Sequence, residues 1–412
     1  MKSKKMKKLS AITLAALLTV AVVGCSKAEV NTDTSTATSQ TTTNTTVSSN
    51  ETSAAAVETA SLDTSELFSD RDLEQTADLT AATQINLESE QDVTLDKEGV
   101  YVLSGEVENV TVVVDAPEDA KVQVVLDGVS ITNEDAPAIY VKEADKVFVT
   151  STADSENYME VSGSYAADGD TNLDAVIFSR ADLTLNGTGS LDIVSTEGNG
   201  ISSKDDLKIT GGEYTIKSST DSLEANDAIL ISDGTITIDS GKDALNSKND
   251  EDTTRGYIYI KGGTLNIKAA DDAIRGNSFV QIDGGTINIE SCEEGIEANS
   301  IKINDGQIKM YANNDGINAS QKIDSDVVIE VNGGTIDVSM ASGDTDAFDS
   351  NGDIYINGGT INVEAVSAFD ADGTAQLNGG DVTVNGEKIT EITQSHGGGG
   401  PGGAGGGKGM RQ

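Results

Sequence analysis

Six segments of this chain repeat one five-residue pattern: an acid, a small residue, an aliphatic or aromatic residue, a polar residue and another small one. They are Asp221-Ser222-Leu223-Glu224-Ala225, Asp243-Ala244-Leu245-Asn246-Ser247, Asp272-Ala273-Ile274-Arg275-Gly276, Glu294-Gly295-Ile296-Glu297-Ala298, Asp315-Gly316-Ile317-Asn318-Ala319 and Asp346-Ala347-Phe348-Asp349-Ser350. A seventh, Ser367-Ala368-Phe369-Asp370-Ala371, keeps only the second acid, while Asp271, Glu293, Asn313, Asn314 and Asp344 add oxygens beside the pattern. Hard oxygen donors in this number suit Ca2+, which takes about 6–8 of them in flexible geometry. Magnesium demands a stricter octahedron, and no soft ligand is present to recruit a transition metal. The expected ligands are therefore Asp221, Glu224, Asp243, Asn246, Asp271, Asp272, Glu293, Glu294, Glu297, Asn314, Asp315, Asn318, Asp344, Asp346, Asp349 and Asp370. The alternative is a solvated acidic turn ladder in which Asp and Asn only cap the bends.

Positioning these acids requires an element that repeats as they do. Glycines 212, 234, 263, 285, 306, 334, 359 and 380 stand 22, 29, 22, 21, 28, 25 and 21 residues apart, most of them followed by a strand such as Thr286-Ile287-Asn288-Ile289. A unit of about 22 residues with period-2 alternation cannot bury its own apolar face and must stack on copies of itself. A propeller blade needs about 40–50 residues. The expected fold is all-β, a right-handed parallel β-helix with three strand segments per coil. In the coil from 263 to 285 these are 264–267, 273–275 and 279–282, and Leu265 and Ile267 are followed one coil later by Ile287 and Ile289 in inward columns. Stacked coils lie about 4.8 Å apart. Two carboxylates at that distance repel by about 0.9 kcal/mol even in water, so a column of them calls for screening or for a bridging cation.

Two further columns face outward. Asn226, Asn277, Asn299 and Asn351, with Lys204 and Lys248 in the same register, read as bend-stabilising amides. Lys208, Tyr259, Gln281, Lys302 and Tyr355 share the outward position of the strand before each glycine turn, with Tyr257 and Phe279 in the next outward column. Flat aromatics beside Lys and Gln suit contact with a sugar chain.

The solenoid is expected over 91–395, with an insertion at 151–172 and loops at 248–255 and 321–326. The alternative for 62–165 is a separate small β-sandwich. Residues 61–90 read as a lead-in, in which Leu62, Leu67, Phe68 and Leu73 give weak helical spacing. Residues 1–25 read as an export signal: five lysines, an apolar run over 9–23, then Val22-Val23-Gly24-Cys25. Residues 26–60, rich in Ser and Thr, read as a disordered tether with a reach of about 35 Å, and 396–412 as a Gly-rich flexible tail. A formal net charge of −42 excludes nucleic acid as the main partner and points to cations or to ligands met through cations. One histidine, His396, leaves no room for a His-ligated zinc site, and two cysteines allow no disulfide framework.

The segment Val22-Val23-Gly24-Cys25 resembles the bacterial lipobox, which implies lipidation of Cys25 and membrane attachment only through that lipid. Over about 95–385 the chain resembles secreted or surface-anchored carbohydrate-binding β-helix proteins, related in fold to lysine-base pectate lyases. The resemblance rests on Ser203-Lys204-Asp205-Asp206-Leu207-Lys208-Ile209-Thr210-Gly211-Gly212, on the acidic corners, and on Asn249-Asp250-Glu251-Asp252. Leu126-Asp127-Gly128-Val129-Ser130-Ile131-Thr132-Asn133 and Pro137-Ala138-Ile139-Tyr140-Val141-Lys142 carry it upstream. It implies calcium in the acidic corners and binding of an acidic or cellulosic plant-type polysaccharide. The chain departs from it at Arg275 and Ser367, where a ligand is missing, and the absence of tryptophan argues against a flat platform for crystalline cellulose. The leading expectation is a monomeric, non-catalytic, surface-exposed polysaccharide binder. A calcium-dependent lyase with Lys204 or Lys248 as base, and an adhesin or envelope spacer without a specific sugar ligand, are the alternatives.

Overall fold

The structure, a computed structural model, describes residues 61–343 and 345–393. The expected signal segment with Cys25, the tether, the tail beyond 393 and Asp344 lie outside the described residues. What is described is a parallel β-solenoid of about 12 turns, about 24 residues apart. Each turn contributes one strand to each of three parallel sheets.

The coil around 285 illustrates the unit. Phe279–Ile282 belongs to the first, or front, sheet, and the chain then turns at Gly285. Thr286–Ala298 supplies 286–291 to the second, or glycine, sheet and 294–298 to the third, or acid, sheet. Alternation decides which side chain goes in. In Thr235–Ser240 the pattern is strictly exposed then buried, with Ile236 and Ile238 inside. Register stacks Ile236 on Leu265, Leu265 on Ile287, and Ile287 on Ile308. The acid sheet stacks Leu223, Leu245, Ile274, Ile296, Ile317, Phe348 and Phe369, ending in two rings stacked 5.0 Å apart. Each such aliphatic is worth about 1.5–3 kcal/mol when fully buried, which is what holds the rungs together.

The solenoid starts earlier than expected. Thr83–Asn86 already pairs in parallel with 101–104, and the strands up to Glu156–Val161 join the same three sheets. A separate sandwich over 62–165 is therefore excluded, and the excursion expected at 151–172 narrows to 162–174, because 156–161 forms a rung of the glycine sheet. The loops expected at 248–255 and 321–326 lie between strands as anticipated. At the C-terminal end Asp381–Val384 pairs antiparallel with Glu387–Ile389, a hairpin that closes the last coil.

The lead-in is a strap laid across the front sheet. Leu62, Leu67 and Phe68 pack on Ala228, Leu230 and Tyr259, and the Leu62 amide donates to Gln281 Oε1 at 3.2 Å. A one-turn helix, Asp70–Leu73, follows, with Ser69 and Asp72 forming a capping box. Asp72 is 1% exposed; its carboxylate lies 2.6 Å from Lys146 Nζ and accepts from Thr184 Oγ1 at 2.8 Å. Gln75 closes the strap, donating to the Thr210 carbonyl and accepting from the Gly187 amide, each at 3.0 Å.

Two consequences are measurable. Gly187 has φ +110, and a Cβ there would lie 2.2 Å from the Ser151 carbonyl oxygen. Left-handed strain plus overpacking against backbone sets the expected cost of Gly187→Ala at about 2–5 kcal/mol, read from the denaturant midpoint. Burial pushes Asp72 toward protonation, but Lys146, the Ser69 amide and Thr184 outweigh it and hold the carboxyl down at about 2. Because the folded value lies below the ordinary one, its contribution is complete above the usual aspartate range and is lost as pH falls through about 2. Hydrogen-exchange protection of the amides of Asp72 and Leu73 is expected to disappear over that window, while the rungs stay protected.

Candidate metal and glycan site

The five-residue pattern builds the acid sheet and the bend leading into it. Its small residues are small for a steric reason. A Cβ on Gly295 would meet the Gly316 carbonyl at 2.3 Å, so the bends are in near contact from rung to rung. Three of the first acids use this closeness: Asp221 Oδ1 accepts the Asp243 amide at 3.2 Å, Asp243 Oδ1 the Asp272 amide at 3.1 Å, and Asp315 Oδ1 the Asp346 amide at 3.2 Å. Glu294, Asp315 and Asp346 follow in register, with Ser367 ending the column. The fourth residues form the parallel ladder Glu224, Asn246, Arg275, Glu297, Asn318, Asp349, Asp370. The expected stacking of bend acids is thus present among the described residues.

Cations divide this ladder in two. In the upper part Lys242 Nζ reaches Asp221 at 3.1 Å and Asp243 at 2.9 Å, and Lys204 pairs with Glu224 at 3.3 Å. Arg275 bridges Asp272 at 2.9 Å and Glu297 at 3.5 Å, and Lys322 reaches Glu297 at 2.5 Å. Lower down acids dominate: burial together with Asp346, Asp370, Asp372 and Glu294 pushes the Asp349 carboxyl up to about 6. Burial also raises Asp243, Glu294 and Asp272, the last with help from Glu294, Asp243 and Glu297, while Lys322 and Arg275 outweigh burial at Glu297 and hold it low.

Two sets of carboxylates bring oxygens within 4.8 Å of one another: Asp243, Asp271 and Asp272, and Asp272, Glu294 and Glu297. Each stands beside an amide with an orphaned oxygen. Asn246 and Asn318 are 9% and 7% exposed, and their Oδ1 atoms are buried without a hydrogen-bond partner. Their Nδ2 groups are spent on Asp221 at 2.8 Å and Glu294 at 2.9 Å, which aims each amide. A buried oxygen without a donor costs about 1–3 kcal/mol, a cost that a hard cation removes. The oxygens therefore suit Ca2+, which would compete there with Lys242 on Asp243, Arg275 on Asp272 and Glu297, and Lys322 on Glu297. Glu224 is instead committed to Lys204, Ser202 and Asn199. Glu293 and Asn314 are exposed at the rim, with Asn314 donating to Asp315 at 3.2 Å.

A third acidic set, Asp182, Asp205 and Asp206, sits where the acid sheet turns into the front sheet. Burial and Asp182 push Asp206 up to about 6. Asp205 and Asp206 are neighbours in sequence, and the register of Leu183 with Leu207 sets Asp182 of the preceding coil beside them.

The expected sugar platform is where register predicts but is not open. Lys208, Tyr259, Gln281, Lys302 and Tyr355 form one ladder, and Tyr257 stacks on Phe279. Yet Lys208, Tyr259, Gln281, Phe279 and Tyr355 are each under 10% exposed. The strap covers the upper part: Lys208 donates to the Leu67 carbonyl at 2.7 Å, and Phe68 lies 6.3 Å from the Tyr259 ring. Lys302 is paired with Glu330 at 3.1 Å. A lead-in with weak helical spacing carries no signal for where it docks, which is why the sequence missed this cover. Of the two lysines considered as bases, Lys204 is paired with Glu224, and Lys248 with the exposed Asp250 at 3.1 Å.

The column asparagines stabilise the bends as expected, but through backbone contacts rather than by bonding to one another. Asn277 and Asn299 donate to backbone carbonyls of the projecting loops. A continuous amide ladder runs instead beside the glycine turns, from Asn378 through Asn357, Asn332 and Asn304 to Asp283, at 2.7–2.9 Å per step.

A protein of Acetivibrio thermocellus described as "Carbohydrate-binding domain-containing protein" is 36% identical over 132 residues, 32% of this chain and 46% of the relative. The chain thus spans less than half the length of that relative. A solved structure titled as a polysaccharide lyase-like protein from C. thermocellum, a gadolinium derivative, covers 73% of this chain and 96% of its own at 22% identity and a TM-score of 0.40. Residues 89–347, the body of the solenoid, match the family described as "Carbohydrate-binding domain-containing protein", and the chain belongs to that family.

Proposed function

We propose that the acid sheet binds calcium and, through it, the carboxylates of an acidic polysaccharide, without cleaving the chain. The observation that carries this reading is the pair of buried, donorless amide oxygens, Asn246 Oδ1 and Asn318 Oδ1, set among clustered carboxylates. Asp272, shared by both carboxylate sets, would hold one ion toward Asp243 and Asp271 or another toward Glu294 and Glu297. Bound calcium would supply positive charge on a face that otherwise repels polyanions. The chain's residues do the rest: rung spacing sets the interval between ions, and the bend acids orient them. Lys204 and Lys248, each in an ion pair, give the lyase alternative no support. On this reading the lipidated Cys25 would display the rod outside the cell.

Calorimetry of the chain with calcium, and then with polygalacturonate in the presence and absence of chelator, tests the proposal. Saturable calcium heat and chelator-sensitive polymer binding are expected; no calcium heat at millimolar concentration overturns it. Asn318→Ala is expected to weaken calcium at the Asp272, Glu294 and Glu297 set about tenfold, or about 1.4 kcal/mol, with little change in the calcium-free melting temperature. Calcium affinity at the sites that share Asp272 is expected to fall as pH drops, because burial and the neighbouring Glu294, Asp243 and Glu297 raise the Asp272 carboxyl and the metal must displace its proton.

A further inference from the structure

The strap hides a cationic site. Asp72 is the buried carboxylate at its centre, 2.6 Å from Lys146 Nζ and 3.9 Å from Lys208 Nζ, with Thr184 Oγ1 donating at 2.8 Å. Both lysine side chains are only 10% exposed, and both project from the front sheet rather than from the strap. Arg71 stacks on Phe148 at 4.4 Å, and Phe68 covers Tyr259, also a front-sheet residue. Lift the strap, and the front sheet presents two lysines, a threonine hydroxyl, Phe148 and Tyr259 in a strip along the rod axis. Lys208 keeps one partner of its own wall, Asp206 at 3.8 Å; among the ion pairs of the described residues, Lys146 has only the strap's Asp72.

Two lysines and two aromatic rings thus lie together in a chain of net charge −42, with Asp182 in register with Lys146 and Asp206 beside Lys208 on the same wall. Lys146 buried without its paired carboxylate would be costly, so the site needs one, and the strap supplies it. The segment is held by a four-residue helix, a few polar contacts and three apolar side chains, and so draws on the low-stability end of the fold. An open cleft of about 660 Å3 begins where the strap ends, with Leu73, Gln75, Lys261 and the Gly211-Gly212 turn on its walls.

We propose that the front sheet beneath the strap is a second glycan site, specific for carboxylated sugar residues, and that Asp72 occupies the place of the glycan carboxylate until the polymer displaces the strap. The choice of an acidic glycan as the ligand rests on the function proposed above. The mode of recognition does not: here lysines meet the carboxylate directly and no ion is needed. A ligand that binds only the open state shifts the strap equilibrium toward opening, and loosening the strap raises the apparent affinity.

The two sites separate in chelator. With calcium removed, Phe68→Ser/Asp72→Asn in the full chain is expected to bind oligogalacturonate at least about tenfold more tightly than the unaltered chain, with no gain for a cello-oligosaccharide of equal length. Adding Lys146→Met and Lys208→Met is expected to abolish the gain. Hydrogen exchange on the same samples reports the fold: 62–75 lose protection while the glycine sheet keeps it. A strap that is released without any gain in uronate binding, or a gain that survives loss of both lysines, overturns the inference, as does a strap that stays protected in the variant. Should the variant fail to fold, the unaltered chain decides: oligogalacturonate in chelator either deprotects the Asp72 and Leu73 amides or the inference falls. Absence of calcium-dependent polymer binding by the unaltered chain counts instead against the function proposed for the acid sheet.

Discussion

In-register stacking of parallel rungs governs everything else in this molecule. Each side chain sits about 4.8 Å above its counterpart, so any choice made once is repeated along a column. For Ile236, Leu265 and Ile287 repetition is favourable, and the column becomes the core. For an acid it is unfavourable unless something intervenes, and the fourth-position ladder shows what does. Between Glu224 and Glu297 stand a neutral amide, Asn246, and a cation, Arg275, with Lys204, Lys242 and Lys322 reaching in from the sides. Only at Asp349 and Asp370 do two acids follow directly, and there the carboxyl of Asp349 is driven toward protonation.

The same rule makes the front sheet unusual. Its outward columns carry Lys146, Lys208, Tyr259 and Gln281, residues suited to the surface, yet they are buried under chain that comes from outside the repeat. The acid ladder is neutralised in part by Lys204, Lys242, Arg275 and Lys322 of its own coils, whereas under the strap Lys146 and Lys208 are met by Asp72, a carboxylate from outside the repeat.

Much of this was legible from residues alone. Glycine spacing, with all eight repeat glycines at φ between +86 and +121, marks a turn that only a residue without Cβ fills comfortably, and coil length followed from it. The pairing of Asp315 with Asp346 and of Glu297 with Asn318 was likewise implied by the pattern. What was not legible came from outside the period. The strap has no repeat to align it, so the burial of Lys208 and Tyr259 could not be foreseen. Lys242 and Lys322 lie in segments between pattern elements and read as loop charges until the rungs bring them against Asp221, Asp243 and Glu297. The true amide ladder, Asn304 to Asn378, lies at the glycine turns, where Lys261 and Asp283 hold the same place in earlier coils and blur the signal.

The strap also imposes an order in time. Leu62 is made early, but its partner Gln281 lies 219 residues further on, and Asp72 must wait for Thr184, 112 residues away. Rungs can zip up on their neighbours as they appear, because each needs only the one before it. The strap can dock only after six consecutive front strands, Lys146–Ser151 through Phe279–Ile282, are in place. It is therefore a latch that closes only once those rungs have formed, and it ties their independent stabilities into one cooperative block while the later coils are still free to add on.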